Sequence, residues 1–370
     1  MVLTTFFFKC ISYFVETEMG QFCTKIIEKV RHTMKKNQAI SKNRIDMLNG
    51  SIAPNLLLFA LPLAACNIIQ VLFNSADVVV AGSFAGSEAL AAVGANSPIV
   101  SLFVTILTGL SLGANVYISR MIGAARDKAT ISRAVHTAIT FSIISGIILM
   151  IAALIFGKAL LIAVGTPTNV LQPSITYLRI YCISLPFLMF YDFSASILRS
   201  IGDTRRPMMF LIISGILNVI LNLILVIVFH MGVSGVAIAT LISTICSSIF
   251  IFTVLTRETD PIKLDVKKLC LDKAHLKEIL IIGTPAAIQS CVFSISNIIV
   301  QSGINSFGSD AVAGSSAALN YEYYAFYVVQ SFGQAVVTFV SQNFGAKNLQ
   351  RCRKILRKYH SSVRHKQLRI

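Results

Sequence analysis

Charged and polar residues along this chain fall at intervals that leave long apolar windows between them. Ala53 to Ser87 holds a single charge, Asp77. Ala89 to Ser119 holds none, Ala134 to Gly157 has only His136, and Ser174 to Leu198 has Arg179 and Asp192. A helix crossing a hydrocarbon core of ~30 Å needs roughly 20 mostly apolar residues, so these windows predict four spanning helices. Pro207 to Thr256 contains no Asp, Glu, Lys or Arg and is too long for one span. His230, Gly232 and Gly235 break it into helices five and six. Ile279 to Ser309 and Ala311 to Ala346 supply helices seven and eight.

Basic residues gather in alternate connections. One set carries Lys35, Lys36, Lys42 and Arg44, then Arg120, Arg126, Lys128 and Arg133, then Arg199, Arg205 and Arg206. It continues with six Lys or Arg between Arg257 and Lys277 and nine from Lys347 to Arg369; the opposite set carries Lys158 alone. Basic loops stay cytoplasmic, so eight helices with the amino terminus inside satisfy every loop. The expected location is the bacterial cytoplasmic (inner) membrane, with multiple passes.

Composition agrees with a lipid-embedded, all-α chain: 55% of the 370 residues are hydrophobic, 13% are charged, and the mean hydropathy is +0.74. The net charge of +16 is mostly this topology signal and does not point to nucleic acid. The eight cysteines lack CxxC or Cys/His spacing, so neither a disulfide framework nor a zinc site is expected. No HExxH, Gly-rich phosphate loop or GxSxG motif supports an enzyme, and no cofactor is implied. Residues 1–33 carry Lys9, Glu16 and Glu18 too early for a span, so an upstream extension or an interfacial helix is expected there.

A shift of 222 positions aligns two parts of the chain. Gly86-Ser87-Glu88-Ala89-Leu90-Ala91 falls on Gly308-Ser309-Asp310-Ala311-Val312-Ala313. Without a gap, Ile118 to Ala124 then falls on Val340 to Ala346. Helices one and two therefore correspond to seven and eight, as in transporters built from parallel repeats. The partner of helix three should begin near Leu356. Arg357-Lys358-Tyr359-His360 and the residues after it are not a bilayer segment, which is the expectation for a truncated or frameshifted second half. The organisation read from the sequence is an amino-terminal extension (1–50), a six-helix lobe (51–256), a basic inter-lobe loop (257–277), helices seven and eight (278–346) and a basic tail (347–370).

Helix one carries Asn67, Gln70, Asn74 and Asp77 at spacings of 3, 4 and 3, which puts all four on one face. A carboxyl at mid-helix costs about 2.5 to 3.5 kcal/mol on insertion scales, so it should face a cavity or a partner. The other reading is a structural Asp hydrogen-bonded near the helix end. Asn218 and Asn222 in helix five (i, i+4) and Thr240 in helix six add polar groups without charge, and interhelical hydrogen bonding explains them equally well.

Four segments together resemble multidrug and toxic compound extrusion (MATE) exporters, especially the DinF-like branch. They are Leu61-Pro62 through Asp77 to Gly82; Gly113-Ala114-Asn115 with Gly123-Ala124; Arg199-Ser200-Ile201-Gly202-Asp203-Thr204-Arg205-Arg206-Pro207; and Ser341 to Ala346. The likeness covers roughly Asn37 to Lys358. It implies a first-lobe pocket of Asp77, Asn218, Asn222 and Thr240 that takes up a coupling cation, H⁺ or Na⁺, with Na⁺ at Asp77 the one metal ion in view. The second helix-five position is commonly Asp in that branch and here is Asn222, leaving Asp77 as the single carboxylate.

The implied activity is antiport of an organic cation or amphipathic molecule by alternating access, in a monomer. Asn67, Gln70, Asn74, Tyr177, Gln289, Asn297, Gln301, Glu322, Tyr324 and Gln330 are candidates for the substrate cavity. For Tyr177 an interfacial anchor, for Glu322 and Tyr324 an aromatic belt, and for the amides packing hydrogen bonds are the competing readings. Arg179 and Asp192 are expected to pair with neighbours. A lipid-linked oligosaccharide flippase of the same superfamily and a non-transporting remnant are the alternatives in function.

Overall fold

The computed structural model describes residues 44–259, 261–305 and 309–367, and they form helices joined by short turns. In chain order these are α1 (Ile52–Phe84), α2 (Ser87–Gly123), α3 (Lys128–Ala163), α4 (Thr168–Ser200), α5 (Arg205–Leu223), α6 (Gly232–Arg257), α7 (Lys273–Asn305), α8 (Ser309–Gly345) and α9 (Leu349–Gln367). Among the described residues seven helices are long and apolar enough to cross a membrane. The eighth expected helix forms as α8. Inside lipid a backbone N–H or C=O has no water to bond, so the chain satisfies its backbone within helices. The amino-terminal readings on residues 1–33 lie outside the described residues.

Several helices begin earlier than their apolar windows: α3 at Lys128 rather than Ala134, α4 at Thr168 rather than Ser174, and α7 at Lys273 rather than Ile279. Caps explain two of these starts. The Asp127 carboxylate accepts from the Thr130 N–H at 3.0 Å and from its hydroxyl at 2.6 Å. Asp272 accepts likewise from the N–H groups of Ala274 at 2.9 Å and His275 at 3.2 Å. Each carboxylate satisfies N–H groups that the first turn of a helix leaves without an intrahelical partner, which lets the helix start ahead of its apolar window.

The predicted break between helices five and six is present. After α5 the chain makes a π-turn over Ile224–Val228, and His230 (φ 52°) and Gly232 (φ 54°) turn it back into α6. The basic stretch after Gly345 also folds: Lys347 turns at φ 57° and α9 begins at Leu349. Cys352 and Ile355 form its buried side, and Ile355 packs with Met47, Phe59 of α1 and Phe339 of α8. Phe59 and Phe339 meet edge to face at 5.5 Å.

The main core lies among α2, α3, α4 and α6, where Phe193, Leu185, Met189, Ile118 and Ile139 are fully buried. Helix α7 packs mainly along α2, and α8 lies against both α1 and α2, with little contact between α7 and α8 themselves. Small residues make this possible. A Cβ on Gly113 would run into the Ile279 carbonyl and the Gly283 backbone.

The 222-residue repeat reappears as a symmetric contact. A Cβ on Gly123 would strike the carbonyl oxygen of Gln342, and a Cβ on Gly345 would strike that of Arg120. Gly345 is the repeat mate of Gly123 and Gln342 that of Arg120, so the two contacts are copies related by the pseudo-two-fold between α2 and α8. The basic loops gather here too, which makes this the basic end of the molecule.

Candidate functional site

Helices α1, α5 and α6 bring four polar side chains into one chain of contacts. Asn222 Nδ2 of α5 donates to Asp77 Oδ1 of α1 at 2.5 Å and sits 3.3 Å from Asn218 Oδ1 one turn earlier. Asn218 Nδ2 reaches the Thr240 hydroxyl of α6 at 3.4 Å. Asn222 is fully buried and Asn218 is 5% exposed, so the cluster sits inside the lobe. The local reason is spacing: Asn218 and Asn222 share a face of α5, and the Gly215 position one turn before lets the Phe73 ring of α1 lie directly on the α5 backbone.

The cluster is rich in oxygen. Among the described residues Asn222 Oδ1 is buried without a hydrogen-bond donor. The Asn218 amide can present either end to Asp77 Oδ1 at 2.7 Å; with its nitrogen turned there, its oxygen accepts from the Thr240 N–H at 3.3 Å. A carboxyl linked in this way to two amides and a hydroxyl has oxygens close by that can serve a proton or a small hard cation.

The other candidates divide. Tyr177 is buried and stacked on Tyr181, with ring centroids 6.2 Å apart, so it lies in the lobe interior rather than at an interface. Asn67 donates to the Ser331 hydroxyl of α8 at 2.9 Å, a packing bond between α1 and α8. Gln70, Asn74, Gln289, Asn297 and Gln330 are exposed on the protein, and among the described residues none of them makes a side-chain hydrogen bond. Gln70 and Asn74 share the face of Asp77 without joining its cluster. The side chains of Gln301, Glu322 and Tyr324 lie outside the described residues. Of the two charges expected to pair with neighbours, Asp192 interacts electrostatically with Arg199 two turns on along α4, beyond ion-pair contact, and Arg179 forms no ion pair among the described residues.

Polar contacts that residue spacing did not reveal hold the basic end together. Arg206 lies between two fully buried carboxylates, in contact with Asp203 and 2.5 Å from Glu258 Oε1. It ties the turn before α5 to the end of α6. Thr338 of α8 donates to Asn115 Oδ1 of α2 at 2.9 Å, and Asn115 Nδ2 donates to the Ser196 carbonyl of α4 at 2.9 Å. Gln342 Nε2 donates to the Ser200 carbonyl at 2.6 Å. Their signal was present in Gly113-Ala114-Asn115 and Ser341-Gln342-Asn343, segments recognised by likeness without a contact to assign to them.

Comparisons with known proteins bear on the family and the fold. The family model described as MatE matches residues 62–224 and 285–360. The chain is 30% identical over 314 residues to the probable multidrug resistance protein YoeA of Bacillus subtilis, covering 83% of this chain and 68% of that protein. It is 24% identical over 289 residues to the multidrug export protein MepA of Staphylococcus aureus, covering 77% of this chain and 63% of that one. Among solved structures, a MATE transporter in the bent conformation superposes with a TM-score of 0.79 at 25% identity, over 85% of this chain and 70% of the other.

Proposed function

Because the chain belongs to the MatE family, we propose that it is a multidrug exporter of the membrane whose transport is driven by a cation, H⁺ or Na⁺, held at Asp77. The observation that carries this reading is the contact chain Asp77–Asn222–Asn218–Thr240 inside the first lobe. An isolated carboxyl within a lipid-embedded lobe is a functional group by default, and here it is ringed by groups that can serve it in two states. As a carboxylate it accepts from the amide nitrogens of Asn222 and Asn218. As a protonated carboxyl it donates to Asn218 Oδ1 once that amide turns. Na⁺ would take the same carboxylate oxygens together with the buried Asn222 Oδ1.

The substrate class proposed is an organic cation or amphipathic molecule, the kind of cargo that the names of the relatives describe. Inward movement of one elementary charge releases about 2.3 kcal/mol per 100 mV, which can drive an uncharged amphipathic substrate outward when cation and substrate exclude one another; exchange for a monovalent organic cation is electroneutral, and there the concentration gradient of the coupling cation supplies the drive. Alternating access would come from movement of α7 and α8 against the six-helix lobe, in a monomer, with the basic end facing the cytoplasm.

The test is ethidium efflux from vesicles energised with a proton or sodium gradient. Wild-type chain should export, and Asp77→Asn should abolish export while its level in the membrane stays unchanged. Full export by Asp77→Asn removes Asp77 from the mechanism.

A further inference from the structure

Helix α7 is the span least covered by the rest of the protein: 17% of its apolar window is buried, the smallest share among the seven described spans. Near the basic end its side carries an open groove of about 450 Å³, lined by Lys273, Leu276, Lys277, Leu280 and Ile281. We propose that this groove binds an anionic diacyl phospholipid of the cytoplasmic leaflet, with the headgroup phosphate at the two ammonium groups and an acyl chain running along α7.

Lys273, Lys277 and Ile281 stand four residues apart, one above another on the same helix face. Ile288, Val292, Ile295 and Ile299 continue that face, and each is at least half exposed. Between Ile281 and Ile288 the one polar side chain on the face is Thr284. The stripe is therefore cationic over its first turn and apolar beyond it. Ile281 and Val292 are eleven positions apart, about 16 Å of helix. One leaflet of hydrocarbon is about 15 Å deep, half of a ~30 Å core, so the apolar run beyond the lysines matches the reach of one acyl chain.

Charge selects among lipids. Among the described residues neither Lys273 nor Lys277 has an ion pair. Of the neighbouring carboxylates, Asp272 caps the helix by accepting from the N–H groups of Ala274 and His275, and Glu278 acts electrostatically on Tyr117 of α2. A lysine at the membrane surface favours an anionic lipid about fivefold, so two together favour it about thirtyfold over a zwitterionic one. A free phosphate has no use for the apolar stripe, and a peptide laid along it would leave backbone groups without partners in the hydrocarbon. A phospholipid satisfies both parts.

The chain contains no tryptophan, so Ile288→Trp places a single reporter on the stripe. The full chain carrying it is reconstituted in phosphatidylcholine brominated in mid-chain, which quenches the indole, and unlabelled phosphatidylglycerol is mixed in. Half of the quenching should be relieved at about 3% phosphatidylglycerol, the fraction that a thirtyfold preference gives. Adding Lys273→Gln and Lys277→Gln should move half relief to about 50%, the fraction for no preference. Arg353→Gln with Lys354→Gln, which removes two exposed charges of α9 at the same end, should leave the starting value unchanged. If Ile288→Trp does not fold, Val292→Trp reports on the same face. Inorganic phosphate should not displace the phosphatidylglycerol.

Equal affinity for the two lipids in the reporter protein, or an equal loss of preference in the α9 variant, would overturn the proposal. So would displacement by inorganic phosphate, or an indole that neither lipid reaches because a second copy of the chain covers it. None of these measurements uses transport, so their outcome is independent of the role given to Asp77.

Discussion

Asn222 Nδ2 stands 2.5 Å from Asp77 Oδ1 across the contact between α5 and α1, so the one charge of α1 is met by an uncharged partner. A hydrogen bond to a charged group is worth about 1.5 to 3 kcal/mol. Asn222→Ala should therefore raise the half-saturating concentration of the coupling cation by about tenfold or more, with export retained at saturation. Efflux rates measured against cation concentration check this. An unchanged concentration dependence would show that Asn222 does not serve the carboxyl. Asn222→Asp supplies a second carboxylate and should keep export.

The Arg206 guanidinium separates Asp203 and Glu258, both fully buried. Removing the cation from such a group leaves uncompensated buried charge, which typically costs about 3 to 5 kcal/mol. Arg206→Ala should thus lower thermal stability sharply, and Asp203→Asn with Glu258→Gln in the Arg206→Ala background should recover part of the loss. A variant that unfolds at the wild-type temperature contradicts the assignment.

Gly123 and Gly345 are repeat mates whose Cβ positions are occupied by carbonyl oxygens of the other repeat. Alanine at either position forces the basic ends of α2 and α8 apart, at about 1 to 3 kcal/mol each. A Cβ on Gly94 would meet nothing within 4 Å, so Gly94→Ala should be neutral. Thermal midpoints of the three variants side by side make the comparison, and equal effects at all three positions would rule out the close approach.

The Asp272 carboxyl is held below the usual carboxylate range, chiefly by the hydrogen bond from the His275 N–H. A depressed folded-state value means that the cap stabilises the start of α7 above the unfolded value of about 3.9, and that this support is lost as pH falls through the lower folded value. Hydrogen exchange in the first turn of α7 should rise on acidification below about pH 4. In Asp272→Ala it should already be raised at neutral pH, and identical exchange in the two proteins would sink the cap.

Much of the fold is legible from the windows between charges. The break at His230 to Gly232, the eight long helices and the repeat all follow from residues read in order, because a helix in lipid satisfies its backbone bonds locally. The polar cluster is legible in part. Asp77, Asn218, Asn222 and Thr240 have helical spacing within each helix, but their meeting required α1, α5 and α6 to be placed. Gln70 and Asn74 have equally good spacing and join nothing, since a shared helix face spans more surface than one site occupies.

What the sequence determined by itself is which segments are helices and which ends are basic, since both depend on short-range chemistry: apolar length, caps, Gly and His turns, and the placement of Lys and Arg. What only the tertiary structure decided is which helix lies against which. Positions facing lipid and positions facing another helix are both apolar, so hydropathy does not tell them apart. The packing of α7 along α2, the crossed glycines Gly123 and Gly345 and the Arg206 clamp follow instead from close fit between backbones and from the pairing of buried polar groups distant in the chain.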